Sequence, residues 1–234
     1  MGLALPASEE QLRLDQQRTL IFCDFDGTIT DQDSLKWLLR RHGPANWPEI
    51  EQKMSDGLIS ERQVLQSIFA KMNLHWDEAK ESLVNTIGFD PGFRSFMRWA
   101  MSQSLKFKIL SGGFEEVIDL LLEKEGFLGI PRVANRVRAT SKGWSVSLSD
   151  TPRLCDLCSH CKSWSIQKKI MDTPDSSVVY IGDGLSDICA IHLADVIFAK
   201  GSLARYCEAN KMPFFEFSTF FDVKTQLETA FSRT

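Results

Sequence analysis

Two short segments carry carboxylates at a spacing that strand ends do not need for folding. The first is Asp24-Phe25-Asp26-Gly27-Thr28, entered directly from the apolar run Leu20-Ile21-Phe22-Cys23. The second is Gly182-Asp183-Gly184-Leu185-Ser186-Asp187, entered from Val178-Val179-Tyr180-Ile181. Asp is depleted in strands, and carboxylates gathered in one place raise one another's pKa and oppose folding. A divalent cation removes that penalty. Oxygen donors without a helpful His or Cys suit Mg²⁺, which keeps several waters and takes a substrate phosphate as a further ligand. A third polar segment, Ser111-Gly112-Gly113, follows Phe107-Lys108-Ile109-Leu110 and adds hydroxyl and amide groups.

The elements that must position these groups can be read from periodicity. Thr19 to Asp24 is an apolar run too short for a helix and reads as a buried strand. Further strands are expected at Phe107 to Ser111, Ser177 to Asp183 and Asp195 to Ala199, with a hairpin from Arg132 to Thr140 and Gly143 to Ser149. Helical patterns run from Asp33 toward Gly43, Trp47 to Met54, Ser60 to Met72, His75 to Ile87, Pro91 to Ser104, Glu115 to Glu125 and Ser163 to Met171. Ser60 with Gln63 has the form of a capping box, and Gly126 that of a helix stop. Strands alternating with helices imply an α/β fold with a doubly wound, mainly parallel, Rossmann-like sheet. Ligands of such sheets bind beyond the carboxyl ends of the strands, so all three polar segments are expected at one edge.

Residues 27 to 110, 84 in all, separate Asp26 from Ser111. A crossover needs only about a dozen residues, and the excess is too helical for a loop. The expected division is therefore a tail at 1–17, a core at 18–43 and 91–234, and an inserted helical cap at 44–90.

Composition excludes several partners. With 27 Lys and Arg against 31 Asp and Glu, the net charge is -4, and no long run has one sign. That argues against nucleic acid or an anionic membrane. No apolar stretch approaches the roughly 18 residues of a membrane span, and the first residues lack the basic region of a secretory signal. Six cysteines in this context read as cytoplasmic thiols. Cys155, Cys158, His160 and Cys161 form C-x-x-C-x-H-C, which tempts toward zinc. Adjacent His160 and Cys161 reach one ion awkwardly, and a second C-x-x-C is absent, so a Cys-rich loop beside Lys162 is the preferred reading. Nothing in the sequence sets an oligomeric state.

Together the motifs resemble the haloacid dehalogenase superfamily in its phosphatase branch, over residues 20 to about 200. The family's first motif, D-x-D-G-T, corresponds to Asp24–Thr28; its second, a Ser or Thr ending a strand, to Ser111; its fourth, G-D-x-x-x-D, to Gly182–Asp187. The third motif is a Lys. Lys162 is chosen because it opens a helical segment and resembles the C-K of methionine-salvage phosphatases, whereas Lys168 and Lys169 are expected on a solvated face. The insertion falls where the family places its C1 cap.

The resemblance implies a Mg²⁺-dependent phosphatase of small phosphate monoesters. Asp24 would be the nucleophile that becomes an aspartyl-phosphate, and Asp26 the acid and then the base. Asp24, Asp26 (through its carbonyl), Asp183 and Asp187 would surround the metal, directly or through its waters. Gly27, Ser111, Gly112 and Lys162 would serve the phosphoryl group, with Lys200 a minor source of charge and Arg41 or Arg62 reaching substrate from the cap. Within the phosphoserine-phosphatase-like group, methylthio-phosphopentane and thiamine-monophosphate-type substrates are closest. Phosphoserine is less favoured, because Ser186 stands where that enzyme has Asn. Two other readings use the same residues: a phosphotransferase or mutase, and a receiver-like phosphate-responsive module. The second carboxylate, Asp26, counts against the module.

Overall fold

The computed structural model describes residues 13–69, 72, 74–140, 143–149 and 158–232. In chain order the elements are β1 (Thr19–Cys23), α1 (Ser34–His42), α2 (Trp47–Ser55), α3 (Glu61–Ser67), α4 (Trp76–Thr86), α5 (Phe93–Ser102), β2 (Lys106–Phe114), α6 (Glu115–Glu125), β3 (Arg132–Thr140) and β4 (Gly143–Ser147). They continue with α7 (Lys162–Asp172), β5 (Ser177–Gly182), α8 (Ile188–Ile191), β6 (Val196–Ala199), α9 (Gly201–Ala209), β7 (Phe215–Glu216) and α10 (Phe220–Ser232). Among the described residues, no helix is long and apolar enough to cross a membrane.

The chain forms two compact units. One takes in the described parts of Met1–Asp31, Phe89–Leu110 and Lys162–Thr234; the other takes in those of Gln32–Gly88 and Ser111–Cys161. The first unit is the α/β sheet expected from the sequence. Its strand order is β2-β1-β5-β6-β7, and each pairing is parallel. All five residues of β1 are buried, as a central parallel strand covered on both faces requires. In register, Cys23 stands opposite Ile109 on one side and Ile181 on the other. The first and third polar segments therefore leave neighbouring strands at the same end.

The second unit holds α1 to α4, the end of β2, α6 and the antiparallel hairpin β3–β4, with strand order β4-β3-β2. The helices of the expected insertion thus share a unit with the hairpin and α6. Local signals account for their ends. The Asp33 side chain accepts from the Lys36 amide and starts α1, the Ser60–Gln63 capping box starts α3, and Gly126, at φ +79°, ends α6. Trp144 anchors the core of this unit. It stacks on Phe69, meets Trp76 edge-on and donates Nε1–H to Leu74 O at 2.6 Å.

One boundary differs from expectation. β2 does not stop at Ser111 but runs through both glycines to Phe114, and α6 follows without a loop. Glycine permits a turn or a strand; packing decides. Phe114 is wholly buried edge-on against Phe69, 5.0 Å between ring centres, which draws the chain straight on.

Candidate active site

Strand β1 delivers Asp24 to the sheet edge, where its amide still donates to Ile181 O at 2.9 Å. The chain then turns around a single acceptor. The Phe25 carbonyl takes the amides of Thr28, Ile29 and Thr30 at 3.2, 2.8 and 3.1 Å, and Gly27 N donates to Thr30 Oγ1 at 3.1 Å. Gly27 has φ +81°, and a Cβ there would lie 2.7 Å from Asp183 Oδ2. Only glycine satisfies both the conformation and the approach. Asp26 opens this turn and is half-buried.

Strand β5 delivers Asp183 to the same edge. Its carboxylate accepts from Thr28 Oγ1 at 2.7 Å, and its carbonyl accepts from Leu203 N at 2.9 Å and Ser202 Oγ at 3.1 Å. Lys200 ties the two segments, donating its amide to Gly182 O and its ammonium to Thr28 O, each at 3.1 Å.

Lys162, the first residue of α7, is buried with its ammonium 2.6 Å from Asp24 Oδ1 and 2.6 Å from Asp187 Oδ1. Asp187 is fully buried and committed on both oxygens. Oδ1 also accepts from Tyr180 O–H at 2.6 Å, and Oδ2 accepts from the amides of Asp183 and Gly184 at 3.2 and 3.0 Å. Asp187 therefore fixes Lys162 and the Asp183 loop together.

The electrostatics follow from this crowding. Burial, and after it the charge of Asp187, holds the Asp24 carboxyl well above the usual carboxylate range, with Lys162 pulling the other way. Burial likewise raises Asp183, against the Thr28 hydrogen bond. Burial alone would lower the Lys162 ammonium, but Asp187 and Asp24 outweigh it and push the group above its ordinary value. Burial and then Asp187 also raise Tyr180, which keeps its phenol a donor.

Asp24, Asp183 and Asp187 each offer an oxygen within 4.8 Å of the others. This all-oxygen, desolvated set fits a hard divalent cation. Because Asp187 is saturated with donors, the side chains best placed to hold such an ion are Asp24 and Asp183.

Ser111 and Gly112 belong to the second unit, where Ser111 is buried and its Oγ accepts from Gly113 N at 2.9 Å. Gly112 O is held by Asn135 Nδ2 at 2.7 Å and by Ser159 Oγ at 3.2 Å, and Ser159 Oγ also lies 2.7 Å from Glu61 Oε2. Asn135 Oδ1 accepts from Ser149 N at 2.8 Å, and Ser149 Oγ meets His160 Nδ1 at 2.6 Å. His160 is thus engaged by a hydroxyl. Cys158 and Cys161 are cysteines outside any disulfide, while Cys155 lies outside the described residues, so the C-x-x-C-x-H-C grouping is described only in part. Arg62 Nε donates to Cys158 O at 3.5 Å. Lys168 is exposed over the Trp164 ring at 5.4 Å, on the solvated side of α7 as expected.

Sequence reasoning missed Thr28 and Tyr180 as site residues. Tyr180 had a usable signal: a tyrosine inside the apolar run Val178–Ile181 needs a partner for its hydroxyl, and carboxylates follow three and seven residues later.

The sequence profile of the haloacid dehalogenase-like hydrolases matches residues 21–192. Pdp3-interacting factor 1 of Schizosaccharomyces pombe is 34% identical over 227 residues, covering 92% of this chain and 97% of that protein. The 2-hydroxy-3-keto-5-methylthiopentenyl-1-phosphate phosphatase of Bacillus cereus is 32% identical over 215 residues, covering 89% and 95%. Among solved structures, a substrate-bound phosphoserine phosphatase superposes with a TM-score of 0.67 at 17% identity, over 90% of this chain and 99% of that one. A phospho-aspartyl intermediate analogue of phosphoserine phosphatase gives 0.66 at 18% identity, over 93% and 99%. At those identities the structural likeness is one of fold.

Proposed function

The chain belongs to the haloacid dehalogenase-like hydrolase family and is a phosphatase of that family; from this premise we propose that it hydrolyses a small phosphate monoester through an aspartyl-phosphate on Asp24, with Mg²⁺ as cofactor. The observation that carries this reading is the buried Lys162 ammonium at 2.6 Å from both Asp24 and Asp187, with the Asp183 carboxylate beside them.

Asp24 and Asp183, with the Asp26 carbonyl, would hold Mg²⁺, which when bound neutralises phosphoryl charge and the crowded carboxylates. An Asp24 oxygen attacks phosphorus, an O–P bond forms, and the ester O–P bond breaks. Asp26 gives its proton to the departing oxygen. In the second half Asp26 takes a proton from water, whose oxygen attacks the same phosphorus and returns Asp24 as carboxylate. Lys162 keeps Asp24 oriented and offsets charge that builds on the phosphoryl oxygens. Asp187 positions Lys162. Gly27 allows close approach of backbone to the phosphoryl group.

The Bacillus cereus relative favours a methionine-salvage substrate such as 2-hydroxy-3-keto-5-methylthiopentenyl-1-phosphate; thiamine-monophosphate-type esters are the second candidate from the motifs. A cytosolic setting belongs to the same reading, supported by the reduced state of Cys23, Cys158, Cys161, Cys189 and Cys207. The test is phosphate release from a panel of phosphorylated metabolites with Mg²⁺ and with EDTA. Asp24→Asn is expected to fold yet lose at least about three orders of magnitude in kcat. Equal turnover in that variant overturns the assignment of the nucleophile.

A further inference from the structure

One side chain of the first unit touches the buried ion pair without belonging to any of the sequence motifs. Tyr180 stands in β5 opposite Phe22 of β1. Two residues further along, the same face of the sheet carries Gly182 from β5 and Asp24 from the end of β1. The Tyr180 ring is wholly buried and its hydroxyl meets Asp187 Oδ1 at 2.6 Å. Gly182 leaves the room for this approach. A Cβ there would lie 2.5 Å from Asp187 Oδ2 and 3.0 Å from Tyr180 Cε1.

The hydroxyl lands on the oxygen that also takes the lysine. Asp187 Oδ1 accepts from Lys162 Nζ and from Tyr180 O–H, each at 2.6 Å, while Oδ2 accepts from two amides. An ionised carboxylate has about four acceptor positions and no donor, so the phenol must donate. Lys162 Nζ stands equally far from Asp24 Oδ1 and Asp187 Oδ1. In a desolvated site, how an ammonium divides its charge between two carboxylates depends on how much of each carboxylate's charge other donors take up. Three neutral donors, one hydroxyl and two amides, already serve Asp187.

We propose that Tyr180 is a positioning residue for phosphoryl transfer: its hydrogen bond draws charge from Asp187 Oδ1 and so leaves the Lys162 ammonium directed at Asp24 and at the phosphoryl oxygens that Asp24 comes to carry. This rests on the reading of the chain as an aspartyl-phosphate phosphatase. Tyr180 gives up no proton and acts through Asp187 and Lys162 alone. Without its hydroxyl, Asp187 Oδ1 loses one of its two side-chain donors. The ammonium is then drawn toward Asp187, and the charge that builds on the phosphoryl oxygens in the transition state is met less well. The ground-state ester, with less charge to neutralise at that point, is held nearly as before.

The test compares the parent with Tyr180→Phe on the phosphorylated metabolite that the parent hydrolyses fastest in Mg²⁺, with orthovanadate as a probe of the five-coordinate state. Tyr180→Phe is expected to lower kcat about tenfold, the effect of weakening one hydrogen bond to a charged group. KM is expected to stay within about twofold, and the inhibition constant of orthovanadate to rise by a factor similar to the fall in kcat. A second measurement needs no substitution at Tyr180. The chain has two tyrosines, Tyr180 and Tyr206, so labelling with 3-fluorotyrosine gives two fluorine resonances, and Tyr206→Phe assigns them. Mg²⁺ with orthovanadate is expected to shift the Tyr180 resonance, as is Lys162→Met in EDTA, with Tyr206 unmoved in both. A kcat within twofold of the parent, a loss carried by KM instead of kcat, or a Tyr180 resonance unmoved by both treatments overturns the proposal and leaves the phosphatase reading standing. A parent that releases no phosphate from any metabolite overturns the phosphatase reading and this proposal with it.

Discussion

Lys162 shows how much one residue carries here. Its ammonium is buried, a transfer that costs several kcal/mol per ion even after relaxation, and two carboxylates at 2.6 Å offset it. Removing the cation is worse than never having had it, because Asp24 and Asp187 stay behind without compensation. Lys162→Met, close in volume, is expected to lower metal-free unfolding stability by about 3–5 kcal/mol. Urea midpoints with an unchanged slope would read this directly, and a loss under about 1 kcal/mol would contradict the bridge. Cys23 gives a second residue-level expectation. Burial first, and then the charges of Asp24 and Asp187, push its thiol well above the ordinary range. A raised thiol pKa leaves the neutral, unreactive form in excess through mildly alkaline pH. Iodoacetamide at about pH 8 should therefore leave Cys23 unmodified in the native protein and alkylate it in denaturant. Modification of Cys23 in the folded chain, mapped by peptide mass, would contradict this packing.

At the scale of elements, what the sequence revealed and what it hid have different physical origins. The groups brought together by β1, β5 and α7 were legible because each stands at an element end, where an apolar run gives way to Asp or where a helix starts at Lys162. The Ser60–Gln63 box and the stop at Gly126 were legible for the same reason, since caps are local. The extent of β2 was not, because Ser111-Gly112-Gly113 suits a strand as well as a turn and only the buried Phe114 decides. Nor was the network that holds Gly112. It joins Glu61, Asn135, Ser149, Ser159 and His160 across as many as 99 positions, from Glu61 to His160, and no periodicity records such a pairing. Asn135 is its hinge, donating to Gly112 O and accepting from Ser149 N. Asn135→Ala leaves a buried carbonyl with one donor fewer and an amide without its acceptor, an expected cost of about 1–3 kcal/mol. Asn135→Asp keeps the acceptor and loses the donor, so its loss should be smaller if Ser149 N is the more demanding group. Thermal unfolding of both variants separates the two bonds, and native-like stability in Asn135→Ala would remove the network's significance.

For the molecule as a whole, the carboxylate cluster makes stability depend on pH and metal together. Asp24 and Asp183 have folded-state pKa values above their ordinary ones, chiefly through burial. A group raised in the folded state favours folding while protonated, below its unfolded value, and that contribution is lost as pH rises through the folded value. The metal-free protein should therefore lose stability on going from mildly acidic to neutral pH on account of these two groups. Mg²⁺ reverses the penalty only where the carboxylates are ionised, so the stabilisation it gives must grow over the same interval. At about a hundred times its dissociation constant a ligand adds about 2.7 kcal/mol, which for a chain of this size moves the melting temperature by roughly 5–10 °C. Melting curves in Mg²⁺ and in EDTA should thus nearly coincide at about pH 4 and separate by that amount at about pH 8. Asp24→Asn should melt higher than the parent in EDTA at about pH 8, because it removes one charge from the cluster, and should lose most of the Mg²⁺ increment. The direction of that variant is what distinguishes a metal centre from a self-sufficient ion pair. If Lys162 alone satisfied the cluster, replacing Asp24 would leave the ammonium with a single partner, lower the melting temperature, and make Mg²⁺ and EDTA indistinguishable at every pH.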